Sequence, residues 1–567
     1  MPDKSSFNIR FERLGPLPII NRFLDRLGLD QILEKYVPTN DRRAKLPYSQ
    51  GLGILLRSIL VEREPIYRQQ EVVEGFAPSA FRIPEGALKN ISDDQIGRAL
   101  DRLFNADRGS LLTACMVNAV REFKVSLKEL HNDSTSIRLF GQYSQAKGRT
   151  IRGRKAPWIT YGHSKDHRPD LKQILYILTT NTDGGIPVQF RCENGNTNDA
   201  ITHVETWKTL RDLYGGPDFL YVADSKLCAL DNMQTIDGMG GRFVTVLPRT
   251  RLEDRYFRKR VQENEIPWET VWDKPNPRKK KYGPRDVWKV HRDPIPSQEV
   301  WPITWVYSNL LALHQGRRRE ENIHAASGEL SKLRQKLTGS RPRIKTKFAA
   351  NQKVQAILSH FRVKEFVKVK VLEYEDPEYK QETPGRPGPE TRYLREVHQR
   401  ITIRFEVDEE AVQKEKKSDG MYPLLTNDKT LTPRQVLEAH KRQPKIERRF
   451  QDLKSVFEIA PVFLKNEGRI EALFFLYFLV LLVESLIERE IRQAMAREGI
   501  DQLPLYPEAR KCKRPSASRI LELFTLAQRV ILEDRSGERQ VFEHSFTDLQ
   551  VQILNLLGVP MALFRRA

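Results

Sequence analysis

The chain has 567 residues, too many for one hydrophobic core, and this length sets an expectation of three or four domains. A hydrophobic content of 39% excludes wholesale disorder. Lys and Arg number 95 against 74 acidic residues, a formal charge of +21, and an excess of that size favours a polyanionic partner, since phosphate backbones attract basic side chains whatever their sequence.

The four cysteines, Cys115, Cys192, Cys228 and Cys512, are scattered without a C-x-x-C pair, which argues against zinc and against a disulfide framework and suits a reducing cytosol. The stretch "MPDKSSFNIRFERLG" has no apolar segment of the secretory kind. The most apolar run, Ala472 to Val483, is 12 residues long between Glu471 and Glu484. A membrane span needs about 20 residues, so a buried helix is expected, in a soluble, cytoplasmic protein without a membrane partner.

Residues 1–108 read as helices: "LPIINRFLDRLGLDQILEKY" repeats apolar residues at three- and four-residue intervals, and Ser92 caps "DDQIGRALDRLF". From about 125 to 250 the rhythm is that of strands. "KELHNDSTSIRLFG" alternates around Ile137 and Leu139, and the same parity puts Asp133 on the apolar side. "LKQILYILTTN" and "IPVQFRCE" follow, joined across "TDGG" as a hairpin. "HVETWKTLRDLY" is a helix, and "DFLYVAD" and "GRFVTVLP" are buried strands. Three strands, a helix, a strand, a helix and a strand imply a mixed sheet covered by helices, an α/β fold.

Residues 251–420 have the look of an insertion. "PNPRKKKYGPR" and "TPGRPGPE" are Pro/Gly-rich loops, "RRREENIHAASGELSKLRQKL" is a charged helix, and "FVKVKVLEY" and "RITIRFEV" alternate as the arms of a hairpin. Five of the seven tryptophans, Trp268, Trp272, Trp288, Trp301 and Trp305, fall in this block; core packing is their commoner use, stacking on unpaired bases the alternative. The basic runs at 278–281, 317–319 and 341–347 suit phosphates, or plain solvation. Beyond 430 the pattern is helical to the end.

Three acidic positions are candidates for chemistry. Asp133 sits on an apolar strand face, unless "NDS" is a turn. Asp224 ends the strand "FLYVA", where it reads equally as a helix N-cap. In "PKIERRFQDLKS", Ile446, Phe450, Leu453 and Phe457 form the apolar stripe, while Glu447 and Lys454 lie two turns apart on one side; an amphipathic helix with a solvated charged face accounts for that spacing as well.

Taken together these stretches resemble bacterial insertion-sequence transposases of the DDE type, in the IS-four-like branch and its 1634-type subgroup. "DSTSIRLFGQY" at 133–143 is similar to the first-aspartate block, "HSKDHRPDLKQ" at 163–173 to a stock phrase of the subgroup, and "YVADSK" at 221–226 to the second-aspartate block. "IERRFQDLK" at 446–454 matches the Glu-x6-Lys end of the branch's Tyr-x2-Arg-x3-Glu-x6-Lys signature. His440 and Gln443 stand at the tyrosine and arginine positions, and Pro444 is expected in the first turn of the Glu447 helix, because proline inside a helix costs about 3 kcal/mol.

The resemblance implies an RNase H-like mixed five-stranded sheet with flanking helices, interrupted by a β-rich insertion domain and accompanied by helical N- and C-terminal regions. The expected division is 1–108 as a helical domain and candidate DNA-end module, 109–250 and 421–490 as the two parts of the catalytic domain, 251–420 as the insertion, and 491–567 as a helical tail. Asp133, Asp224 and Glu447 are the implied catalytic residues and ligands of two Mg²⁺ ions, which Mn²⁺ could replace. Lys454, Arg448 and Arg449 are the implied DNA contacts. The implied reaction is metal-dependent phosphodiester hydrolysis at terminal inverted repeats, then joining of the 3′ ends to target DNA by a homodimer or higher oligomer, in a nucleoid-associated protein. Asp183, Asp199 and Asp231 rank below the triad. The rival functions are a structure-directed RNase H-like nuclease without strand transfer and a non-catalytic DNA-binding regulator derived from a transposase.

Overall fold

The computed structural model describes residues 8–42, 44–276, 283–340, 342–534 and 536–565. The chain folds as two compact units, one of 1–245 with 438–567 and one of 246–437. The basic run at 278–281 and Arg341 lie outside the described residues.

In the first unit, strands β1 (Glu129–Leu139), β2 (Lys172–Asn181), β3 (Pro187–Glu193), β4 (Leu220–Ala223) and β5 (Arg242–Val246) stand in the order β3-β2-β1-β4-β5. β1 and β2 pair antiparallel from Leu130 opposite Asn181 to Leu139 opposite Lys172, and β3 continues antiparallel beyond the Asp183–Gly185 turn. Helices α1 (His203–Tyr214) and α2 (Leu230–Gly238) are the crossovers that bring β4 parallel to β1 and β5 parallel to β4. This is the RNase H-like mixed sheet, with the Asp133 strand at its centre. Both faces of the centre are covered, so β1, β2 and β4 are buried along nearly their whole lengths.

In the second unit, strands β6 (Glu269–Lys274), β7 (Asp286–Arg292), β8 (Ile303–Ser308) and β11 (Met421–Thr426) run antiparallel in the order β6-β7-β8-β11. A long hairpin, β9 (Val367–Gln381) with β10 (Tyr393–Val407), pairs from Val367 opposite Val407 to Gln381 opposite Tyr393. Its base packs on helices α3 (Asn309–Thr338) and α4 (Lys347–His360) through Leu330, Val354, Leu358, Val371 and Ile403. Two of this unit's five tryptophans are core residues, away from that hairpin: Trp305 is fully buried and stacks on Phe257 at 3.7 Å, and Trp301 is buried as well, whereas Trp268, Trp272 and Trp288 are half-buried. Arg319 of the 317–319 run ion-pairs with Asp419 and is largely covered, so that run is only partly free for phosphate.

Helix α5 (Pro444–Gln451) begins with Pro444 at its first position, leaving Gln443 as its N-cap and His440 on the preceding helix, Pro433–Lys441. A wide five-residue turn, Asp452–Val456, follows. Helix α6 (Glu467–Arg497) contains the apolar run; it is long and apolar enough to span a membrane, yet its apolar window is wholly buried, as a core helix is.

Candidate active site

β1 alternates its side chains between two faces. The even positions meet α1 and the segment before it: Asn132 Nδ2 lies 3.5 Å from His203 Nδ1, and Ser134 Oγ donates to Asp199 Oδ2 at 2.9 Å. The odd positions look the other way. Glu129 takes a two-pronged ion pair from Arg442, at 2.8 and 2.7 Å, just before Pro444. Asp133 has the same parity four residues on, and its neighbours are the Lys165 ammonium, the Ser134 N–H and the charges of Asp224 and Asp199.

Asp133 and Asp224 come together through strand register. Parallel pairing sets Asn132 opposite Ala223, so Asp133 and Asp224 are the next residues on adjacent strands, which run about 4.8 Å apart. Asp133 is mid-strand, not in a turn. Asp224 is not an N-cap either: α2 starts six residues later, at Leu230, and Asp224 Oδ1 instead accepts from the Lys226 N–H at 3.0 Å. Thr245 on β5 donates to the Asp224 carbonyl at 2.6 Å and fixes the strand end.

Burial pushes the Asp133 carboxyl up to about 6, with the charges of Asp224 and Asp199 adding to the rise while Lys165 and the Ser134 N–H oppose it. A carboxylate held this way gains from a cation placed beside it. Burial likewise holds the His203 imidazole down, to about 4, so it is neutral at physiological pH beside Tyr221, whose hydroxyl lies 3.0 Å from Nδ1.

Glu447 lies on α5, which packs against β1 and β2. Ile446 and Phe450 are buried there, whereas Glu447 is exposed and, among the described residues, forms no side-chain hydrogen bond or ion pair. Lys454 donates to Asp166 Oδ1 at 2.8 Å, which ties the end of this segment to the loop that carries Lys165.

The two arginines beside Glu447 behave differently from the expectation of DNA contacts. Arg449 is 2% exposed; its guanidinium reaches Asp452, Glu488 and the carbonyls of Gly184 and Gly185, so it fastens α5 to α6 and to the β2–β3 turn. It has no surface to offer a phosphate. Arg448 is half-exposed but pairs with the buried Glu488 at 2.7 Å.

Two groups that sequence reasoning ranked low or passed over belong to the site. Asp199 stands at the start of a short 3-10 turn, Asp199–Thr202, and approaches Asp133 through Ser134. Lys165, within "HSKDH", has its Nζ 3.1 Å from Asp199 and 3.6 Å from Asp133. The loop that carries it is held where backbones nearly touch. A Cβ on Gly162 would fall 1.9 Å from the Gly195 carbonyl oxygen, and one on Gly195 would fall 2.1 Å from the Gln173 carbonyl oxygen. The glycines flanking "HSKDH" and closing "ENG" were the available signal.

Two carboxylates thus stand on adjacent strands at the centre of the mixed sheet, with a third acid, Glu447, on a helix that packs against that sheet. The family model for the transposase DDE domain matches residues 129–483, and the chain belongs to that family. A second model, described as a domain of unknown function, DUF4277, matches residues 9–117. No curated protein matches. Among solved structures, a piggyBac transposase synaptic complex with hairpin DNA is similar over 89% of this chain and 79% of that one, at 10% identity and a TM-score of 0.37, a likeness too distant to argue from.

Proposed function

We propose that the protein is a DNA transposase that binds the terminal inverted repeats of its element, hydrolyses the phosphodiester bonds there and joins the 3′ ends to target DNA. The observation that carries this reading is the side-by-side register of Asp133 and Asp224 within a domain of the DDE family. Asp133, Asp224 and Glu447 would hold two divalent cations, Mg²⁺ with Mn²⁺ as a substitute; the donor set fits, being all carboxylate oxygen with one member already strained by burial. When bound, such ions supply positive charge to the attacking and leaving oxygens of an in-line displacement at phosphorus.

The chain's own residues do the rest. β1 and β4 fix two carboxylates on rigid neighbouring strands, and Thr245 holds the second in place. Lys454, in the wide turn that follows the Glu447 helix, would leave Asp166 for a phosphate next to the cut. The neutral His203 and the Tyr221 hydroxyl pack behind Asn132 and keep β1 in register with β4. Two ends cut in concert need two such sites, so the working form is a homodimer or larger oligomer on DNA, acting at the nucleoid in the cytoplasm. The first 108 residues are the candidate DNA-end module, and the second unit helps to handle the DNA ends.

The test combines terminal-repeat DNA, a target plasmid and Mg²⁺. Joined products are expected, and D133N, D224N and E447Q should each lower both cutting and joining by more than about 100-fold, beyond the 10–100-fold typical of changes around a metal ligand. Ends that are cut but never joined would favour a nuclease. Unchanged biological effect in all three variants would favour a non-catalytic regulator.

A further inference from the structure

Lys165 sends its ammonium into the acidic cluster. Its Nζ donates to the Ser134 carbonyl at 2.6 Å and the Ser134 hydroxyl at 2.8 Å, and lies 3.1 Å from Asp199 Oδ2 and 3.6 Å from Asp133 Oδ1. The Ser134 hydroxyl in turn donates to Asp199 Oδ2 at 2.9 Å, closing a ring of lysine, serine and aspartate beside Asp133. The backbone around this ring is fixed as well: the Lys165 N–H donates to Ser136 Oγ at 3.0 Å, and the approaches at Gly162 and Gly195 leave the loop no slack.

A cation here answers a specific need. Asp133, Asp224 and Asp199 crowd one partly enclosed site, and their mutual repulsion opposes folding unless a positive charge is near. A lysine supplies it as a point charge on a flexible stem, with about a third of its side chain exposed as a way out. Its distances are unequal. It sits closer to Asp199 than to Asp133, so it can stay with Asp199 and Ser134 while Asp133 turns to another cation.

We propose that Lys165 is a built-in counter-ion of the acidic site, neutralising the Asp133–Asp199 side when no divalent ion is bound and weakening divalent binding there by charge competition, with Asp199 and Ser134 as its anchor. This rests on the reading of Asp133 as a metal ligand. Lys165 is thus a positioning residue that sets how much free divalent ion the site requires, and Asp199 acts through it.

The test is a calorimetric titration of Mn²⁺ into the full chain without DNA, following the binding that D133N abolishes. Neutral K165M should bind Mn²⁺ about tenfold more tightly than the wild type, because one repelling charge at contact range is gone. K165R, which keeps the charge, should stay within about threefold. K165M should also melt at a lower temperature than the wild type without Mn²⁺ and gain more from adding it. A merely structural lysine predicts the opposite sign, weaker Mn²⁺ binding in K165M, and that result, or unchanged affinity, overturns the proposal. K165Q is read in the same way should K165M not fold. The two layers separate cleanly: D133N-sensitive binding with an indifferent K165M sinks only the lysine proposal, whereas no D133N-sensitive binding at all sinks the metal reading and the proposal with it.

Discussion

Glu484 is the residue whose environment makes the sharpest demand. It lies buried on α6 with Oε2 unbonded, 4.0 Å from Arg449, while that arginine spends its hydrogen bonds on Glu488, Asp452 and two carbonyls. Burial pushes the Glu484 carboxyl up to about 8, and the neighbouring acids Asp452 and Glu488 push the same way against Arg449. The sign follows from linkage. Between its ordinary value of 4.5 and about 8, the folded protein holds a proton that the unfolded chain has released, so this group's contribution to stability is full below the window and is lost as pH rises through it. E484Q keeps the shape and removes the titration. The melting-temperature advantage of wild type over E484Q should therefore shrink steadily from pH 5 to pH 8; a constant difference would show that Glu484 is already ionised. The same cluster explains what could not be read at residue scale. Glu447 and its two arginines are adjacent in "IERR", and spacing alone separates the exposed side of a helix from its buried side only through the stripe at Ile446, Phe450 and Leu453. Arg449 falls beside that stripe, and nothing local announces that Glu488, some forty residues on, waits to pair with it.

At the scale of elements, the order of strands and helices from 129 to 246 was legible because each segment has a clean period: alternation in β1, unbroken apolar runs in β2 and β4, and "TDGG" as the turn between β2 and β3. Pro444 marked the start of α5 for the same local reason, its missing N–H costing nothing at a first position. The stretch between 140 and 171 was not legible, for it carries only two-residue strands, Thr150–Ile151 and Arg154–Lys155, and its position is set by contacts distant in sequence. Thr160 exchanges backbone hydrogen bonds with Gln173, whose side-chain amide donates to the Gly195 carbonyl at 2.7 Å. That junction tolerates no Cβ. Gly195→Ala should lower stability by about 1–3 kcal/mol, as overpacking does, since the new methyl would meet backbone atoms rather than a side chain able to turn away. Gly216→Ala, where a Cβ would meet nothing within 4 Å, is the control and should melt close to wild type. Equal melting of the two variants would mean that the junction is looser than its geometry states.

For the whole molecule the governing number is the charge of +21, but a net charge does not say which basic side chains a phosphate can reach. Many of the 95 basic residues are spent internally: Arg449 and Arg489 are buried in ion pairs, Arg57 pairs with Asp30, Arg319 with Asp419 and Arg529 with Glu12. Counter-ion release counts phosphates actually touched, not formal charge, so the salt slope measures the free remainder. With roughly 6–10 phosphate contacts, affinity for terminal-repeat DNA should drop about 10³- to 10⁵-fold between 50 and 200 mM salt. Lys454→Ala, which removes one candidate contact, should reduce that slope by about one phosphate and weaken all sequences alike. R449M should leave the slope unchanged, because its guanidinium never meets solvent, and should instead cost folding stability by stranding Glu488 and Asp452. The two variants sit five residues apart and carry the same formal loss, so net charge predicts one outcome for both. Equal slopes in K454A and R449M would show that the protein meets DNA through its overall field rather than through placed contacts; a flat response to salt in the wild type would remove the phosphate backbone as the partner that the composition points to.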